Sequence, residues 1–313
     1  MKKTPIIILL IIAALVGGYF LFPNLFKDIS DINIIDDTKQ VKLLDKTDYT
    51  TKDTSYKNGV AKTTNGTETI LGKSYGGRDI PVYQYGNGNE EILFVGGIHG
   101  GYAWNTSLLA YEVADYLKAN PEIIPDNVKI TIIPVLNPDG LSKIIGDKNI
   151  SDLTNNPPTL IDTIIGRLNG NDVDINRNFD CDWKAEGIWQ NKTVSGGNEV
   201  FSEPESQAIK NYIETKNPKA VIVWYSAAGG VFSSSCYNEI LSETQTLTKT
   251  YAEASGYPSY DEFSAYKITG DMVNWLASKN IPAISVLLTN HNDTEWNKNK
   301  AGIESILNYY SKK

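Results

Sequence analysis

The chain contains two histidines, His99 and His291, and the first stands where side chains often do chemistry. His99 lies in "FVGGIHGGYAWNT", which reads as a buried strand, a glycine-rich turn and the start of a helix. A histidine there is placed to bind a metal or to act as a base. A metal would also need a carboxylate partner close by, yet the next residues are Gly100, Gly101, Tyr102 and Ala103. A site that needs two or three imidazoles has only His291 left to draw on. A second pattern, "GKSYG" at Gly72–Gly76, matches the G-x-S-x-G of serine hydrolases. That elbow requires a strand before it and a helix after it. Here a strand, "DIPVYQYG", follows, so the match is read as accidental.

The elements around His99 form an alternating series. "DIPVYQYG" and "EILFVGGIH" read as strands separated by "NGN". "NTSLLAYEVADYLKAN" has helical spacing through Leu109, Val113 and Leu117 and is stopped by Pro121. "VKITIIPVLN", "AVIVWYS" and "AISVLLT" are continuous apolar runs, as expected of strands covered on both faces. "SEPESQAIKNYIETK" opens with Ser202 and has Glu205 three residues later, which predicts a capping box. "TGDMVNWLASKN" and "NKAGIESILNYYSKK" read as helices. Buried strands alternating with amphipathic helices imply an α/β sheet with helices on both faces. Ligands in such sheets sit beyond the carboxyl ends of the strands, where His99, Asn137 and Tyr225 fall.

The 313 residues are 41% hydrophobic with a formal charge of −8, enough for one large domain with appendages. The acidic balance argues against nucleic acid as a partner. "MKKTPIIILLIIAALVGGYFLF" places two lysines before an uncharged apolar run from Pro5 to Phe22, near the minimum that spans a hydrocarbon core. Bulky residues follow, and no small-residue cleavage site. The expectation is an uncleaved anchor, residues 1–26 with its helix at about 5–22, and the N-terminus inside; a cleaved signal is the alternative. Residues 27–66, rich in Asp, Lys and Thr, suit a solvated extracytoplasmic linker, and 67–313 form the domain. The two cysteines, Cys181 and Cys236, could be a disulfide, buried thiols or part of a weak metal site. Outside the cytoplasm a disulfide between them would persist.

Taken in order, "LGKSYGGRDIPVY", "GGIHG", "PVLNPDG", "RLNGNDVDINRNFD", "FSEPESQA", "VIVWYSAAGG" and "GDMVNWLASKNIPAISVLL" resemble the zinc carboxypeptidases of the carboxypeptidase A type, in their bacterial form. "VDINRNFD" followed by "FSEPES" is the most specific part. The resemblance implies a mixed, roughly eight-stranded sheet flanked by helices. In that family a His, a Glu and a second His hold zinc, and a later Glu is the general base. The first His corresponds to His99. The Glu falls at Tyr102, or at Ala103 if the turn carries one extra residue. The second His falls at Tyr225, and the base at Leu287. One ligand of three remains, and Leu287 cannot take a proton. Catalytic zinc needs three protein ligands, so no metal or other cofactor is expected. His99 is then read as a hydrogen-bonded turn residue.

The resemblance also implies a substrate-binding set. Asn176 and Arg177 would hold a peptide's terminal carboxylate, for which Arg offers a charge-assisted fork. Arg167 would lie near the scissile carbonyl and Tyr266 would close over the ligand. Asp271 and Val273 would line the pocket for the terminal side chain, where Asp271 could meet a cationic group; Asp271 also suits the first turn of its helix. A Cys181–Cys236 disulfide would pin two loops beside the same cleft. The expected function is an inactive, membrane-anchored domain that binds C-termini of peptides or peptidoglycan stem peptides outside the cell. Two alternatives stay open: a zinc enzyme with atypical ligands, and a structural or assembly domain with a closed cleft and Arg177 paired internally.

Overall fold

The computed structural model describes residues 66–313 except 147 and 238. The anchor and linker expected within 1–65 lie outside the described residues. Among the described residues no helix is long and apolar enough to cross a membrane.

Among the described residues ten strands form: β1 Thr67–Lys73, β2 Asp79–Tyr85, β3 Glu90–Val95, β4 Val128–Ile133, β5 Glu186–Trp189, β6 Lys192–Ser195, β7 Ala220–Ser226, β8 Gly230–Ser233, β9 Ser259–Tyr260 and β10 Ala283–Leu288. Eight of them make one mixed sheet in the order β1-β2-β4-β3-β7-β10-β8-β9, and β5 and β6 pair separately. The centre is parallel, with β3 beside β4 and β7, and β7 beside β10. Strands β1, β2 and β8 add antiparallel partners. The expected eight-stranded mixed sheet is therefore observed.

The helices are α1 Trp104–Ala119, α2 Pro138–Ile145, α3 Asp152–Asn155, α4 Leu160–Thr163, α5 Pro204–Lys216, α6 Ser242–Ser255, α7 Met272–Ser278 and α8 Trp296–Tyr310. Alternation along each central strand explains why both faces are covered. Ile92 and Phe94 of β3 and Ile222 and Trp224 of β7 pack with α1, α6 and α8. Leu93 and Val95, with Val221 and Val223, pack with α5 and α7.

The glycine-rich turn after β3 is built for close packing. Gly97 has φ +60° and Gly100 φ +43°, the region that favours glycine. A Cβ on Gly100 would also come within 2.8 Å of the Gly140 backbone at the start of α2. The turn thus needs its glycines whether or not a metal binds.

One local expectation is corrected. The capping box does not form: α5 starts at Pro204 with Glu203 as N-cap and no side-chain cap. Ser202 instead donates to Glu203, and Glu205 accepts from the Tyr75 amide and from Asn169. Asn178 organises this region, donating to Gly196 O, Glu199 O and Ser202 and accepting from the Glu203 amide and Ser206. The two most specific motifs are thus one hydrogen-bonded scaffold. Ser74, as expected, is no nucleophile: it is buried in the β1–β2 turn, donating to Asp139 and accepting from the Arg78 amide.

Cys181 and Cys236 form a disulfide with Cα atoms 6.0 Å apart, closing a 55-residue separation. It ties the chain just after Phe179 to the chain just after β8. Closing a loop of that length restricts the unfolded chain by about 4 kcal/mol. Cys236→Ser is expected to lower the unfolding free energy by about 2–4 kcal/mol in urea titrations, and dithiothreitol to do the same to the wild type. Insensitivity to both would show that this cross-link contributes nothing.

Candidate active-site cleft

His99, Arg167, Asp174, Asn176, Arg177 and Tyr225 are all buried at the carboxyl end of the parallel strands. Asp174 is the hub. One carboxylate oxygen accepts from Arg167 Nε at 3.0 Å and Nη2 at 2.7 Å. The other accepts from the Asn176 amide at 3.0 Å, capping the turn Ile175–Arg177. Burial opposes ionisation of Asp174, but the Arg167 charge, with His99 and Arg177, outweighs it and holds the carboxyl far below its usual range.

His99 is not the hydrogen-bonded turn residue expected. Neither ring nitrogen has a hydrogen-bond partner. Nε2 lies 3.5 Å from Asp174 Oδ1, a distance that leaves only electrostatic attraction. The reason is competition, because the Asp174 oxygens are taken by Arg167 and a backbone amide. Burial, then the neighbouring Arg167 charge, push the imidazole down to about 4, so it is neutral at pH 7.

The positions that the family resemblance sets beside His99 carry groups that do not fit zinc. Tyr225 is buried; its ring centroid lies 5.7 Å from that of His99, and its hydroxyl donates to Asn176 Oδ1 at 3.3 Å. Burial pushes this phenol well above its ordinary value, so it is no anionic ligand. Tyr102 stands edge-on to Trp189 at 4.9 Å and to His291 at 4.5 Å. Burial raises its phenol too. Ala103 is buried without a donor. His291 is anchored by Nδ1 to the Tyr102 carbonyl at 3.0 Å. Leu287 pairs in register with Tyr225 across β10 and β7, so an aliphatic side chain stands level with a phenol. Among the described residues no group of three or more His, Cys, Asp or Glu could hold a metal ion.

The remaining site residues divide into two groups. Arg177 is almost wholly buried and spends its donors on backbone: Nη1 on Asn176 O, and Nη2 and Nε on Ile188 O. Asn176 uses its side-chain carbonyl for Tyr225 and the Met272 amide. Asp271, Val273 and Tyr266 instead line a cavity of about 360 Å³ with Phe232, Phe263 and Lys267. Asp271 is buried, and its Oδ1 has no hydrogen-bond partner. Burial pushes its carboxyl up to about 6, against the pull of Arg177. Sequence reasoning missed Asp174 and Trp189. Asp174 was visible as a possible turn-capping Asp two residues before Asn176. Trp189 stood in "EGIWQNKTVS", two short alternating runs around a Gln-Asn turn.

The family model described as zinc carboxypeptidase matches residues 60–306. The chain belongs to the zinc carboxypeptidase family. It does so without an intact metal-binding motif. Bacteriocin BCN5 of Clostridium perfringens is 30% identical over 158 residues, 48% of this chain and 15% of that protein. Carboxypeptidase D of Drosophila melanogaster is 24% identical over 289 residues, 76% of this chain and 19% of that protein. The chain therefore spans less than a fifth of either relative. In fold it is similar to the murein-tripeptide amidase MpaA from Escherichia coli O157, with a TM-score of 0.55, 19% identity and coverage of 77% of this chain and 91% of that one. Thrombin activatable fibrinolysis inhibitor gives a TM-score of 0.59, 17% identity and coverage of 79% and 70%.

Two of the perturbed groups, His99 and Asp271, contribute to the pH dependence in opposite senses. Between about pH 6.5 and 4 the unfolded chain protonates His99 and the folded chain does not, so stability falls as pH falls through that window. Asp271 acts in the opposite sense between about pH 4 and 6, because the folded carboxyl holds its proton longer. His99→Asn is expected to flatten the loss measured by denaturant titration at stepped pH, and Asp271→Asn to steepen it. The same slope in both variants and wild type would contradict these assignments.

Proposed function

We propose that this domain binds free C-termini without hydrolysing them and prefers a terminal residue with a cationic side chain. The observation that carries the reading is the cavity floored by Asp271, a buried carboxylate whose Oδ1 lacks a partner beside a retained arginine, Arg177. A buried unpaired acceptor costs stability and is relieved by a ligand that donates to it. An ammonium entering the cavity would do that and pair with the carboxylate's buried charge. Val273 and Tyr266 would flank its alkyl stem, and Arg177, with Asn176 and Arg167 near it, would face the terminal carboxylate. The fold shared with a murein-tripeptide amidase makes peptidoglycan stem peptides, which can carry such an amine, a class to test beside simple peptides. The apolar segment at 5–22 supports tethering to a membrane with this domain outside the cell.

No hydrolytic step is assigned, because Leu287 cannot take a proton and among the described residues no group could hold a metal ion. A second reading is favoured by one observation: Arg177 is paired internally, as a structural domain with a closed cleft requires. Calorimetric titration separates the two. N-acetyl-Ala-Lys is expected to bind the full chain at least tenfold more tightly than its C-terminal amide and than N-acetyl-Ala-Leu. Equal affinities, or none, would leave only the structural reading.

Asp271→Asn offers an independent check with two readouts. Removing a buried charge whose carboxyl is shifted up to about 6 should raise stability at pH 7 by about 1–3 kcal/mol. The same variant should lose the lysine preference. Lower stability with the preference intact would contradict the assignment of Asp271.

A further inference from the structure

The β5–β6 hairpin stands apart from the main sheet, attached where the Asp174 amide donates to Ser195 O at 2.9 Å. Its outer side chains are exposed, and what it directs inward is specific. The Ile188 carbonyl accepts from Arg177 Nη2 at 2.8 Å and Nε at 3.3 Å, while Ile188 as a residue is 42% exposed. That carbonyl thus sits on one of the guanidinium edges that can fork onto a carboxylate. Next to it the Trp189 ring lies 4.4 Å from the Arg167 guanidinium carbon and edge-on to Tyr102. Gly187 lets the hairpin come this close, since a Cβ there would lie 2.8 Å from Arg177 Cδ. The cavity floored by Asp271 is lined by neither Arg167 nor Arg177. One short hairpin thus covers both arginines and leaves the side-chain cavity open.

We infer that the hairpin is an internal ligand of the carboxylate site. The Ile188 carbonyl holds the place of a carboxylate oxygen on Arg177, the Trp189 ring on Arg167 keeps it there, and an incoming carboxylate must displace it. Which carboxylate does so rests on the function proposed above; the covering of Arg177 does not.

The chain contains three arginines, Arg78, Arg167 and Arg177, so guanidinium reactivity can be read residue by residue. Phenylglyoxal labelling of the full chain, mapped by peptide mass, is expected to modify Arg78, whose side chain is 50% exposed, well before Arg177. Trp189→Ala should speed modification of Arg177 at least tenfold and leave Arg78 unchanged. Gly187→Ala, which keeps the tryptophan and forces the backbone away, should unmask Arg177 too, and it serves if Trp189→Ala does not fold. Arg177 reacting within twofold of wild type in the folded variants would overturn the inference. Titrating the same variants with N-acetyl-Ala-Lys and its amide separates this idea from the binding function. Arg177 unmasked without tighter binding of the free acid would leave the cover standing and remove the function. Tighter acid binding with Arg177 still masked would do the reverse.

Discussion

The cleft depends on one buried ion pair, Arg167 with Asp174. Both groups are almost wholly out of water, and such burial is tolerable only when donors and acceptors are matched. Here they are: two guanidinium donors meet one carboxylate oxygen, and a backbone amide meets the other. Removing one partner would leave an uncompensated buried charge, a loss of about 3–5 kcal/mol in comparable cases. The pair fixes the segment from Arg167 to Arg177 and so places Asn176 and Arg177. It also leaves His99 without a partner.

Around this pair a histidine on a glycine turn stands, among the described residues, without the cluster that could hold a metal ion. The imidazole is surrounded by rings, the positions that the family resemblance would make its fellow ligands carry phenols or Ala103, and the position of the base carries an aliphatic side chain. The tyrosines fill space and hold the loop: Tyr225 reaches Asn176, and Tyr102 supports both Trp189 and His291. The volume beside His99 is part of the core, while the cavity around Asp271 is not filled. A buried carboxylate with one oxygen unpartnered is a cost that packing alone would remove. Its retention is the strongest structural reason to look for a ligand.

Much of the fold was legible in the sequence because the central strands are continuous apolar runs and the long helices carry clear stops. Strands β3, β4, β7 and β10 and helices α1, α7 and α8 follow directly from those patterns. Short elements were not legible: β9 has two residues, and the β5–β6 hairpin is held by contacts to Arg177, Arg167 and Tyr102 from distant parts of the chain. The capping box failed because Ser202 and Glu205 serve tertiary partners, Asn178, Tyr75 and Asn169, that local spacing cannot reveal. The residues set against metal positions, Tyr102 or Ala103 and Tyr225, were legible only through the family resemblance. The state of Arg177 was not legible, since its partner is a backbone carbonyl, which every residue carries.

The central claim, that His99 is a neutral core residue rather than a ligand, is most directly tested by imidazole NMR. With two histidines in the chain, its nitrogen resonances can be assigned without ambiguity. The account predicts that the His99 ring stays neutral from pH 7 to about pH 5 and that stoichiometric zinc leaves both ring nitrogens unmoved. A zinc-induced shift of either His99 nitrogen at neutral pH would contradict it.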